Sequence, residues 1–123
     1  MNKFILSLAT ACFFSVSVFA METPTTYQAE TTKLVSAIAY NDYEAFVANG
    51  NAAFQALKRD QFEGVVSQLG SKLNGEYDIA YLGDLNQRSY QVTLWRIRFK
   101  SGGDDLLATL SMKDGKVGGF WIK

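Results

Sequence analysis

The stretch EYDIAYLGDLNQRSYQVTLWRIRFKSGGDDLLATLSMKDGKVGGFWIK, residues 76–123, decides the fold. Its apolar residues recur at every second position, the period of a strand with two unlike faces. Tyr77, Ile79 and Tyr81 alternate with Asp78 and Ala80. Ser89 to Lys100 reads as a long second strand rich in aromatic and branched residues. Tyr90, Val92 and Leu94 share one of its faces, and Trp95, Ile97 and Phe99 the other. Either both faces are partly covered, or a bulge near Leu94-Trp95 resets the register. Ser101-Gly102-Gly103 is a turn. Leu106, Ala108, Leu110 and Met112 alternate along a third strand. Asp114-Gly115, at the centre of Lys113 to Lys116, is a strong two-residue hairpin signal, and Val117 to Ile122 closes the sheet.

Upstream of Gly75 the period is that of helices. Thr25 and Gln28 have the spacing of a capping box, and Tyr27, Leu34 and Ile38 fall on one stripe, with Glu30 and Lys33 on its wetter flank. This helix fades near Tyr40. Asn41 and Glu44 repeat the cap signal ahead of Phe46 and Val47, and Asn49-Gly50-Asn51 interrupts before Ala52 to Leu57 resumes. Asp60 to Glu63 opens a last helix with Phe62, Val66, Leu69 and Leu73 at helical spacing, ended by Asn74-Gly75. Gly64 and Gly70 weaken this helix and suggest close packing onto a sheet. Two or three helices followed by a four-stranded antiparallel meander predict an α+β domain with helices on one sheet face.

The first twenty residues, MNKFILSLATACFFSVSVFA, read as a secretory signal peptide: Lys3, then an uncharged run from Phe4 to Phe19, then Ala20 at the cut. As a membrane span the run is short, since spanning needs about 20 apolar residues. As a lipoprotein leader it would place Cys12 at the lipidated position, but Leu8 to Ala11 fit that pattern poorly. Cleavage after Ala20 leaves one domain, residues 21–123, directed to the periplasm or the medium. Cys12 is the only cysteine of the 123 residues, so the mature domain holds neither a disulfide nor a thiolate nucleophile. Twelve basic residues balance twelve acidic ones, which supplies no long-range field for nucleic acid or an anionic membrane.

Two motifs carry a family resemblance. Asn41-Asp42-Tyr43-Glu44-Ala45-Phe46 follows a first helix, and Leu110 to Phe120 ends in Asp-Gly-Lys-Val-Gly-Gly-Phe. Both resemble a bacterial family of small secreted domains of unknown function in the cystatin-like and nuclear-transport-factor-two-like group, over residues 26 to 122. The resemblance implies a cone in which a curved sheet wraps round helices. It also implies an apolar pocket and pairing into homodimers through the sheet. It carries over no enzyme signature.

The chain has no histidine, which removes Ser-His-Asp triads and most zinc sites. No metal or cofactor is expected. Asp104-Asp105 is the one adjacent acidic pair, and it reads as a hydrated loop rather than a calcium site. Gly102-Gly103 and Gly118-Gly119 lack the lysine-serine continuation of a phosphate loop. Asp78 is the one candidate acid or base: turned into a cone it would be desolvated and its pKa raised. Period two instead turns it outward, with Tyr77 and Ile79 inward. The aromatics of the sheet half are the better lead. Tyr81, Tyr90, Trp95, Arg96, Arg98 and Trp121 are the candidate contacts to a small organic ligand, Arg96 and Arg98 sharing a face with Tyr90. The same residues serve equally as core or as dimer contacts. Three functions compete: an extracytoplasmic binding module, a structural subunit pairing through its sheet, and a cone-fold enzyme acting on a small apolar substrate.

Overall fold

The structure is a computed structural model and describes residues 24–123. The expected leader, its cut after Ala20 and Cys12 lie outside the described residues. Four helices come first: α1 (Thr25–Ala39), α2 (Tyr43–Val47), α3 (Ala52–Gln55) and α4 (Arg59–Leu73). Four strands follow: β1 (Tyr77–Gln87), β2 (Tyr90–Phe99), β3 (Leu106–Lys113) and β4 (Lys116–Ile122). They form one antiparallel sheet in the order β1-β2-β3-β4, a meander with the helices on one face, as the periodicity predicts.

The helix ends differ in detail from the predicted caps. Thr25 lies inside α1, so Pro24 takes the cap position and no capping box with Gln28 forms. Asn41 does not cap α2. It adopts a left-handed φ of 55° and closes α1, with Asn41 N–H donating to the Ile38 carbonyl and Asp42 N–H to that of Ala37. This double bond across a left-handed residue is a Schellman ending. The cap of α2 passes to Asp42, whose carboxylate accepts from Ala45 N–H at 3.1 Å. Asn51 caps α3 by accepting from Phe54 N–H at 2.9 Å. At α4 the cap position is Lys58, two residues before the predicted Asp60, and Gln61 accepts from Lys58 N–H at 3.3 Å.

The sheet alternates as expected along β2, but the bulge lies in its neighbour. Tyr81 pairs with Trp95 and Gly83 with Leu94, so Leu82 of β1 is the extra residue. β2 itself keeps strict period two, and both of its faces are partly covered. A second irregularity falls at Gly118, since Ser111 pairs with Gly119 and Met112 with Val117. The β3–β4 hairpin turns on Asp114 and Gly115, both at positive φ, as the type I′ geometry requires. The β1–β2 hairpin is made by Arg88 and Ser89, at φ 54° and 71°.

The core lies between α1 and the sheet. Leu34, Val35 and Ile38 of α1 meet Trp95, Ile97, Ala108, Leu110 and Val117, all essentially inaccessible. Phe46 is the hub of the shorter helices: its ring lies 5.2 Å from Phe54, 4.9 Å from Phe62 and 6.2 Å from Phe120. Gly70 of α4 does permit close packing, but against the Ile38 carbonyl of α1 and not against the sheet, and Gly64 faces open space.

Candidate functional site

A strand that alternates sends its odd and even residues to different environments. Along β2 the odd residues Thr93, Trp95, Ile97 and Phe99 face the helices. The even residues Tyr90, Val92, Leu94, Arg96 and Arg98 face away from them. The candidate contacts named above therefore do not form one cluster. Trp95 is wholly buried in the core, where its indole N–H donates to Thr93 Oγ1 at 2.8 Å. The Tyr81 ring lies 5.3 Å from that of Trp95, tilted by 55°, on the same side, and its hydroxyl donates to Asp84 at 2.9 Å. The phenol pKa is raised, first by desolvation and then by this bond to a carboxylate, which holds the neutral form.

Tyr90, Arg96, Arg98 and Trp121 lie on the outer face. Trp121 pairs across from Thr109, and Tyr90 across from Gln87. Glycines make room for both rings. A Cβ on Gly118 would meet the Tyr90 ring at 2.5 Å, and one on Gly119 would meet the far edge of the Trp121 ring at 2.3 Å. The two aromatics thus lie close over the backbone of β4. Together with Val92, Ser111 and Arg88 they border a shallow concavity of about 640 Å³. Leu85 of β1 and Trp121 of β4, on opposite edge strands of this face, are 46% and 60% exposed, Leu82 at the bulge is 45% exposed, and none of the described helices covers the face.

The arginines stand at the other end of this face. Arg98 grips Asp105 with both nitrogens, Nε to Oδ1 at 3.1 Å and an Nη to Oδ2 at 2.9 Å. That fork holds the Asp105 carboxyl below its ordinary pKa and raises that of Arg98. Arg96 makes no ion pair among the described residues, and its Nε is buried without a hydrogen-bond partner. Asp78 is exposed on the same face, in register with Arg98.

A second concavity opens on the helix side. A 15-residue helix is about 22 Å long and a 10-residue strand about 33 Å, so α1 leaves one end of the sheet uncovered. There the inward positions turn polar, with Asn86 of β1 paired to Gln91 of β2. Glu30 of α1 stands in the wall of this cleft, which measures about 660 Å³. Its side chain is only 11% exposed, not on a wet flank as its spacing suggested. Oε1 accepts from Asn49 Nδ2 at 3.0 Å, and Asn49 Nδ2 also donates to the Gly115 carbonyl at 3.0 Å. Lys33 Nζ balances the charge at 3.3 Å from Oε2 without making a hydrogen bond.

Among the described residues no group of three or more acidic, cysteine or histidine side chains is placed to hold a metal ion. No helix there is long and apolar enough to cross a membrane. No protein-family model matches the chain, and no curated protein matches it.

Proposed function

We propose that the chain is an extracytoplasmic binding or protein-interaction module, a cystatin-like or nuclear-transport-factor-two-like cone that pairs with a second copy through the outer face of its sheet. One observation carries this reading: the sheet face that bears Leu85 on β1, Val92 and Leu94 on β2 and Trp121 on β4 has no cover from the described helices, and Leu85 and Trp121 are exposed there. Exposed apolar residues on an uncovered face mark a candidate contact site.

The sheet edges favour face-to-face over edge-to-edge contact. The first part of β4 is capped by the segment Asn49 to Asn51. Val117 N–H donates to the Asn49 carbonyl at 2.9 Å, and Asn51 N–H to that of Val117 at 2.8 Å. The bulge at Leu82 breaks the run of β1 at the opposite edge. A second copy suits the face because it carries both signs of charge, Arg96 and Arg98 beside Asp78 and Asp105. In a two-fold interface each copy presents the same patch, so charges of both signs meet across the rim.

A cone-fold enzyme would use an acid desolvated in an interior pocket. Asp78 is exposed on the outer face, and the most enclosed acid of the sites described above, Glu30, already has Lys33 and Asn49 as partners.

Light scattering on the purified mature chain tests the pairing. The expected result is a dimer that the double substitution Leu82→Lys, Leu85→Lys converts to a monomer with a cooperative melt that no longer depends on concentration. A wild-type chain that stays monomeric across the accessible concentration range sinks the proposal. N-terminal sequencing of the protein from the periplasmic or culture fraction tests the compartment, with Met21 as the expected first residue.

A further inference from the structure

We propose that the cleft beyond the end of α1 binds a small neutral polyhydroxylated molecule, of mono- or disaccharide size. The site is distinct from the outer face and does not depend on pairing. Its volume of about 660 Å³ falls within the range of small-molecule sites, about 300–1,000 Å³.

Polarity sets the ligand class. The inward positions of β2 read Phe99, Ile97 and Trp95 in the core, then Thr93, then Gln91 in the cleft wall. An apolar ligand would gain little from such a wall. Asn86, Ser89 and Gln91 make no side-chain hydrogen bond to other described residues, although each can both donate and accept. A hydroxyl does the same, so vicinal hydroxyls match neighbouring amides without leaving a donor or acceptor unpaired.

Charge narrows the class further. Glu30 is balanced by Lys33, and Lys113 and Asp114, adjacent in the cleft wall, add one charge of each sign. The charges of the cleft cancel, so its net charge favours neither a cation nor an anion. Tyr27 and Met112 supply the apolar surface on which the carbon side of a sugar ring would rest. Arg88 and Ser89 hold the positive φ values that a two-residue hairpin between Gln87 and Tyr90 requires. Ser89 lies in the cleft wall.

The test is a titration of the ¹⁵N-labelled mature chain with glucose, maltose, glucosamine and glucuronate, followed by amide chemical shifts. These probes keep one ring and vary size and charge. Saturable shifts at Asn86, Ser89, Gln91 and Gly115 are expected with glucose or maltose, and weaker ones with both charged sugars. Asn86→Ala with Gln91→Ala should weaken binding by about tenfold or more, the effect of losing one or two hydrogen bonds. Circular dichroism melts of the double variant show whether it folds. Should it not, Gln91→Glu keeps the size and should weaken the neutral sugars. Absence of saturable shifts with every probe, shifts confined to the outer face, or tighter binding of a charged sugar would each overturn the proposal.

Discussion

Trp95 and Trp121 are the same residue type on opposite faces of one sheet, and they meet opposite fates. Trp95 is completely enclosed under α1, with its indole N–H satisfied by Thr93. Trp121 lies over Gly119 with 60% of its surface in water. The helix-side face is completed by α1, α2, α3 and α4. The outer face carries leucines, valine and aromatics of its own but receives none of the described helices. Apolar content alone therefore does not define the core. What defines it is whether a second layer packs on the face, and among the described residues the helices supply one only on the inner side.

Truncating the two tryptophans should separate the faces most widely. Trp95→Ala removes a large side chain from a packed interior and is expected to cost about 3–5 kcal/mol. For a domain of this size that is a large share of total stability. Trp121→Ala should stay within about 0.5 kcal/mol, as for surface positions generally, while weakening self-association. Urea unfolding followed by circular dichroism checks both. A cost for Trp121→Ala as large as that for Trp95→Ala in a monomeric sample would mean that the outer face belongs to the core.

A finer contrast lies within the outer face. Gly118→Ala drives a methyl group into the Tyr90 ring. That ring is half-buried, and its hydroxyl accepts from Asn51 Nδ2 at 3.3 Å. The tyrosine has little freedom to retreat, so the expected cost is about 1–3 kcal/mol, typical of overpacking. Gly119→Ala meets only the free end of Trp121, which can swing into solvent, and its cost should be under about 0.5 kcal/mol. Thermal melts of the two variants suffice. Equal shifts would show that Trp121 is as fixed as Tyr90.

The sequence made the architecture legible because both periods are strong. Alternation from Tyr77 onward and the Asp114-Gly115 turn placed all four strands and the last hairpin, with β1 read only as far as Tyr81 of its full run to Gln87. The β1–β2 turn was not legible: Arg88-Ser89 lacks the glycine or asparagine that marks such turns, and the two-residue closure between Gln87 and Tyr90 imposes the positive φ. Of the two readings of Leu94-Trp95, coverage of both faces holds for β2, and the bulge forms at Leu82 of β1, because one strand alone does not show which strand of a ladder carries an extra residue. Asn41 and Asp42 both suit a cap, and the Schellman closure of α1 took Asn41. The outer aromatics could be named but not sided, since period two separates faces without saying which one a helix covers. Gly118 and Gly119 were the overlooked signal there: small residues mark where a neighbouring ring lies flat. For the cleft, the signal was polar Thr93 and Gln91 at positions in phase with Trp95. Glu30 gave none, because the partner its carboxylate accepts from, Asn49, lies nineteen residues away.

The smallest expected effect concerns the charged rim of the outer face. Arg98 holds Asp105 in a two-pronged contact, and the hydrogen bonds from Arg98 are the first cause of the lowered carboxyl pKa. A carboxyl whose pKa is lower in the folded than in the unfolded chain stabilises the fold above the unfolded value. That contribution disappears as the pH falls through the folded value. Both side chains are solvated and the pair is screened by salt, so its contribution is small. Asp105→Asn should therefore lower the urea midpoint slightly at neutral pH. The difference from wild type should close as the pH is taken down past the carboxylate range, and close again in high salt at neutral pH. A difference that persisted in acid would show that Asp105 holds the β2–β3 connection through packing rather than charge. The outer face would then owe part of its shape to the chain itself, and a partner would be needed only for its apolar centre.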